Sequence, residues 1–130
     1  MKTKVISLIT VVLVLFTVSC GKYEDGPILS FRGKKVRLEG SWKYQSIIYV
    51  DQNITVTDNL PTLVMNFSKD GTYSENTGYE GTWKFSGTVD LNISKTKDTS
   101  VVDEKWEIIK LANKQLWLRR DKVEHRFMPE

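Results

Sequence analysis

Residues 79–85, Tyr-Glu-Gly-Thr-Trp-Lys-Phe, alternate without interruption: Tyr79, Gly81, Trp83 and Phe85 fall on one side, Glu80, Thr82 and Lys84 on the other. A period of two is the repeat of an extended chain, whose successive side chains leave opposite faces. A helix would scatter these aromatics around its circumference, so the stretch reads as a half-buried strand. The pattern recurs along the chain. Leu63, Met65 and Phe67 alternate ahead of Ser-Lys-Asp-Gly, where Asp70-Gly71 supplies the left-handed residue of a tight hairpin. Trp42, Tyr44, Ile48 and Val50 share a parity that Ile47 and Tyr49 blur, and Val89, Leu91 and Ile93 share another. Residues 54–57 form a short return strand before Pro61, which forces a turn or an edge. No segment keeps a 3.6-residue apolar period for three turns.

Continuing through residues 101–111, 116–120 and 122–127, the count reaches eight or nine strands at intervals of roughly ten residues, joined by short turns. Residues 94–100, Ser-Lys-Thr-Lys-Asp-Thr-Ser, are the one obvious loop. The fold class is all-β. Sequential hairpins need no long crossovers, and closing the sheet removes the exposed edges a sandwich must protect, so an eight-stranded antiparallel up-and-down barrel over residues 39–130 is expected.

The barrel is preceded by a different kind of sequence. Residues 1–19 have the parts of a secretory signal: Lys2 and Lys4, an apolar run from Val5 to Val18, and small Ser19. At 14 residues the run is too short to span a bilayer core of roughly 30 Å as a stable helix. The chain's one cysteine, Cys20, follows directly. A single cysteine cannot form an internal disulfide, whereas as an acylation site its position makes sense, because two or more acyl chains give a firm membrane anchor. Thr17-Val18-Ser19-Cys20 resembles a bacterial lipobox, and Gly-Lys-Tyr-Glu-Asp-Gly-Pro after it resembles the acidic tether of Bacteroidota lipoproteins, a feature associated with export to the cell surface. Residues 20–38 are therefore expected to be an acylated cysteine and a flexible tether, and the protein an outer-membrane lipoprotein on the periplasmic or outer side. Arg32, Lys34, Lys35 and Arg37 form a small basic cluster at the end of this segment, within reach of anionic headgroups. Without residues 1–19 the chain carries 17 basic and 16 acidic side chains, which is no footprint for nucleic acid.

Gly40-Ser41-Trp42 at the head of the first strand resembles the Gly-x-Trp signature of lipocalins. The order of parts that follows is similar to small lipocalin-like domains of Bacteroidota lipoproteins. The resemblance implies structural roles for Gly40 and Trp42 and an arginine lying over that tryptophan; Arg126 is the best candidate by position, with Arg119 and Arg120 as rivals. It also implies a ligand held inside the barrel. Trp42, Phe67, Tyr73, Trp83, Phe85 and Trp106 are candidate interior residues that either fill the core or line a pocket for one small apolar molecule.

Signs of catalysis are few. The single histidine, His125, has no second histidine or cysteine with which to build a zinc site, and no Gly-x-Ser-x-Gly elbow is present. The expected protein is a monomeric, non-catalytic barrel without a cofactor. It binds a small hydrophobic ligand, or else it is a solid barrel whose exposed aromatics, Trp117 or Tyr49, grip an envelope protein or a glycan.

Overall fold

The structure, a computed structural model, describes residues 31–130; the leader, Cys20 and the first part of the tether lie outside the described residues. One short helix, α1 (Phe31–Leu38), precedes nine strands: β1 (Gly40–Tyr49), β2 (Ile54–Val56), β3 (Val64–Phe67), β4 (Thr72–Glu75), β5 (Glu80–Ser86), β6 (Asp90–Lys97), β7 (Ser100–Ala112), β8 (Gln115–Arg120) and β9 (Val123–Pro129). From β3 to β9 each strand pairs with the next, and β1 pairs with both β3 and β9, which closes the sheet into an antiparallel cylinder of eight strands. Strand β2 is an addition to the ring. It folds back on Ile47–Tyr49 of β1, beyond Gly40–Lys43 where β3 pairs.

The alternation seen at 79–85 holds, with Trp83 buried, Gly81 and Phe85 half-buried, and Glu80, Thr82 and Lys84 exposed. The blurred parity of β1 has a local cause. A bulge between Tyr44 and Ser46 spends one extra residue, so that Tyr44 pairs with Phe127 but Ile47, not Ser46, pairs with His125. A second bulge between Ile108 and Lys110 shifts β7 in the same way.

Two expectations need correction. Residues 94–100 are not a loop: β6 runs to Lys97 and β7 begins at Ser100, with Asp98 at φ 55° in a tight turn. The extension is held by ladder pairs from Ser94↔Asp103 to Lys97↔Ser100. Residues 31–38, assigned above to the end of the tether, are helical. Eight residues make a marginal helix in water, so tertiary packing must hold it. Leu38 is fully buried, the Lys34 ammonium donates to the Thr88 carbonyl and stands 5.5 Å from the Phe85 ring centroid, and the Trp42 indole N–H donates to the Leu38 carbonyl at 2.8 Å. That last bond satisfies one of the carbonyls a helix C-terminus leaves open. Gly40, at φ 123°, turns the chain from α1 into β1.

Helix α1 thus stoppers one end of the barrel, the end of the β3–β4, β5–β6 and β7–β8 turns. The core begins there. Leu38, Trp42, Phe67, Leu91, Leu111, Leu116 and Phe127 are each at most 2% exposed.

Candidate functional site

Along each strand the inward side chains change character with distance from the plug. On β4 Tyr73 is followed two residues on by Glu75; on β6 Leu91 and Ile93 are followed by Lys95; on β7 Glu104 precedes Trp106; on β8 Leu116 and Leu118 are followed by Arg120; on β9 Phe127 is preceded by His125. A residue two positions further along a strand stays on the same face. Every one of these polar groups therefore enters the barrel interior near the end opposite α1.

They meet there in a continuous network. Lys95 Nζ donates to Glu75 Oε2 at 2.6 Å and lies 3.1 Å from Glu104 Oε1, and Arg120 NH1 donates to Glu104 Oε2 at 3.0 Å. The Tyr73 hydroxyl donates to Glu75 Oε2 at 2.5 Å, and Tyr44 Oη and His125 Nδ1 are 2.8 Å apart. Aromatic surfaces complete the walls. The Arg120 guanidinium stands 4.1 Å above the Trp106 ring, His125 meets that ring edge-on at 5.0 Å, and Lys95 lies 4.9 Å from the Tyr79 centroid. The Glu75 side chain is only 3% exposed, and those of Lys95 and Glu104 are 12% and 13%. Buried ion pairs of this kind contribute little net stability, because desolvation offsets their attraction, so their presence inside a barrel calls for another explanation. One donor in the group is unspent: among the described residues the buried Trp106 indole N–H has no hydrogen-bond partner.

The environment shifts several protonation equilibria. Burial, with Glu104 adding to it, pushes the Tyr44 phenol up to about 12. Burial and the bond to Glu75 raise Tyr73 as well. For Glu75, burial alone would raise the carboxyl, but hydrogen bonds from Lys95, Tyr73 and Thr77 outweigh it and hold the group below its usual value. For Lys95, burial would lower the ammonium, yet the bonds to Glu75 and Glu104 hold it above. His125 is lowered, by burial first and then by the positive Arg120.

These shifts set the direction of acid sensitivity. Both His125 and Glu75 bind a proton more readily in the unfolded chain than in the barrel, so stability is full above their ordinary values and declines as pH falls below them. We expect a first loss as pH drops below 6.5 from His125 and a second below 4.5 from Glu75, read as a two-stage fall of the urea midpoint. His125→Gln should remove the upper stage; a wild-type midpoint that stays flat between about pH 7 and 5 would rule out the depressed imidazole.

Of the six aromatics proposed for the interior, five pack toward the plugged half. Phe67 lies 5.2 Å from Tyr73 and 5.8 Å from Trp83, and Trp83 lies 5.5 Å from Phe85; Trp42 is buried below them against α1. Trp106 stands with the polar network. Among the described residues no arginine lies over Trp42, where one was expected. Arg126 faces outward, because His125 and Phe127 on either side of it face in, and its guanidinium lies 3.7 Å from the ring of Trp117 instead. Arg119 is also outward, bonded to Glu124 at 3.0 Å, and Arg120 reaches Trp106. Trp117 is not a bare surface aromatic: Lys110 lies 4.8 Å from its centroid and Arg126 covers it from the next strand. Glu75, Lys95, Glu104 and Tyr44 were not singled out by sequence, although each continues the inward parity of an apolar run.

An eight-stranded, up-and-down, antiparallel barrel with a short helix under one end defines a lipocalin-like fold. Two solved structures share it. A lipocalin-like protein from Bacteroides uniformis superposes with a TM-score of 0.59 at 17% identity, over 72% of this chain and 99% of that one. An uncharacterised protein from Bacteroides eggerthii gives 0.57 at 14% identity, over 71% and 98%. No family model and no curated protein matches the chain.

Proposed function

We propose that the chain is a membrane-tethered, non-catalytic lipoprotein of the bacterial outer membrane, acylated on Cys20, whose barrel binds a small molecule with an apolar body and a polar group. The observation that carries the binding role is the convergence of Tyr44, Glu75, Lys95, Glu104, Arg120 and His125 inside the barrel above a packed aromatic floor, beside an indole N–H with no partner. A polar group of the ligand takes that donor and the guanidinium of Arg120, which remains 41% exposed, while the apolar body lies against Trp106 and Tyr79. The leader, the lipobox-like segment and the acidic tether support the membrane attachment.

Native mass spectrometry after exposure to a lipid and metabolite extract of the host tests the binding role. A retained small molecule, diminished in Glu104→Gln and Trp106→Phe, is the expected result. A bare mass across repeated extracts would leave a solid barrel that engages an envelope protein or glycan. That second reading has one observation in its favour: Tyr49, Val50 and Ile54 expose apolar surface together on the β1–β2 hairpin. Attachment is tested separately. Cys20→Ala should abolish metabolic incorporation of a clickable fatty acid, and labelling that persists in the variant would defeat the lipoprotein reading.

A further inference from the structure

The two ends of the barrel differ in charge. At the plugged end Lys35 and Arg37 on α1, Lys69 in the β3–β4 turn, Lys84 on β5 and Lys110 and Lys114 beside the β7–β8 turn gather within the same rim, with Glu39, Asp70, Asp90, Glu107 and Glu130 as the carboxylates. Two of those carboxylates are already engaged: Asp70 accepts hydrogen bonds from Thr72, and Asp90 pairs with Lys105 at 3.4 Å. Lys35, Lys69, Lys84 and Lys114 are exposed, and among the described residues none of the four makes an ion pair. The far end has the opposite balance. Asp51, Asp58, Glu80, Asp98 and Asp121 are exposed in its turns and strand ends, against Lys97, Arg120 and Lys122, of which Arg120 is paired with Glu104 at 3.0 Å and Lys122 with Asp51 at 3.2 Å.

The basic rim is also shaped. A hollow of about 340 Å³ lies between α1 and the β3–β4 turn, lined by Lys35, Lys69 and Lys84, by the one carboxylate of Asp70, which Thr72 engages, and by Trp83 and Phe85. Val36, 65% exposed between Lys35 and Arg37, adds an apolar contact at the same surface. The described chain begins at this end, with Phe31 of α1, and Cys20 stands eleven positions earlier in the sequence.

We propose that the plugged end docks on anionic lipid headgroups. The hollow ringed by Lys35, Lys69 and Lys84 takes their phosphates, and the far end with its polar interior is held away from the membrane. The proposal rests on the tethered reading given above. A chain anchored at its N-terminus brings this rim within about 35 Å of the bilayer at full extension of the intervening ten residues. That range only keeps the rim close; once diffusion brings it within a Debye length of the surface, about 8 Å at physiological ionic strength, basic groups are drawn to the anionic lipid while carboxylates are repelled, so the attraction and the repulsion turn the barrel the same way.

The test uses the full chain purified from bacterial membranes and reconstituted into vesicles, with a fluorophore on a cysteine introduced at Asn113→Cys in the plugged-end turn or at Thr99→Cys in the far-end turn. Quenching by headgroup-labelled lipid is then measured. In phosphatidylcholine vesicles containing about a third phosphatidylglycerol, the Asn113 label should be quenched several-fold more than the Thr99 label. The difference should shrink in pure phosphatidylcholine, at about 0.5 M salt, and in the triple variant Lys35→Glu, Lys69→Glu, Lys84→Glu. Equal quenching at both positions, or a difference indifferent to salt and to charge reversal, would overturn the proposal. Failure of the tether reads out differently: the parent chain would take up the fluorophore at a free Cys20 and wash off neutral vesicles, while docking would still be judged by salt-sensitive binding to anionic ones.

Discussion

Trp42→Ala is expected to destabilise the barrel by about 3 to 5 kcal/mol, the range for truncating a large buried aromatic. Three losses combine. The indole is 2% exposed, so its removal leaves a cavity at the plugged end of the core that neighbouring strands, pinned by Gly40↔Phe67 and Trp42↔Met65 pairs, cannot collapse into. The bond from its N–H to the Leu38 carbonyl disappears, which leaves a helix-end acceptor buried and unpaired. And α1 loses the contact that ties its last turn to the sheet, so Leu38 is also released. Urea denaturation followed by circular dichroism measures the sum. Trp117→Ala supplies the comparison: that ring lies half-buried on the outer face between Lys110 and Arg126, and its truncation forfeits mainly two partly buried cation–π contacts, about 1 to 2 kcal/mol. A Trp42 variant that loses less than about 1 kcal/mol would mean that α1 does not depend on this residue for its seat.

How far the structure could be read from the sequence depended on whether one repeat or two rules operated at a position. Alternation alone placed Trp83, Met65, Phe67, Leu91 and Ile93 inside, because in a closed sheet one face is buried along the whole strand. It failed at Gln45 and Ile109, where a bulge inserts a residue and reverses the parity of everything beyond it; nothing in Tyr-Gln-Ser or Ile-Ile-Lys announces that insertion. Helix α1 escaped for a different reason. Its segment, Phe-Arg-Gly-Lys-Lys-Val-Arg-Leu, has no apolar stripe, and what seats it is one buried leucine, a bond from Trp42 in the next element, and a lysine ammonium that reaches Phe85 and Thr88, far along the sequence.

The candidate site was hidden by the assumption that inward means apolar. Glu75, Lys95 and Glu104 occupy positions that alternation already assigned to the interior, two residues from Tyr73, Ile93 and Trp106. A charged residue continuing an inward run marks either the end of the buried region or a polar site within it. Since each of these three side chains is nearly buried, the second case holds here. Arg126 is the converse error: motif order suggested it for Trp42, whereas the parity of His125 and Phe127 already required it to point away from the core.

Gly81→Ala is expected to cost about 3 kcal/mol or more, far beyond the roughly 1 kcal/mol typical of glycine substitutions at open turns. Gly81 sits in the middle of three strands, opposite Tyr73 on β4 and Lys95 on β6. Strand β6 passes so close that an added Cβ would stand 1.8 Å from the Ser94 carbonyl oxygen and 2.8 Å from the Lys95 Cα. Both are backbone atoms, so no rotamer change can relieve the contact, and the β5–β6 ladder must part. The damage would not be confined to stability. Moving Lys95 shifts the ammonium that joins Glu75 to Glu104, so the polar network at the far end should loosen with the ladder. Gly87→Ala is the control: its φ of 64° is strained for alanine, but nothing lies within 4 Å of the added carbon. Urea midpoints of the two variants separate close approach from conformational strain. Comparable losses in both would show that β5 and β6 are free to move apart at Gly81, and would remove the reason why a glycine interrupts the aromatic face of this strand.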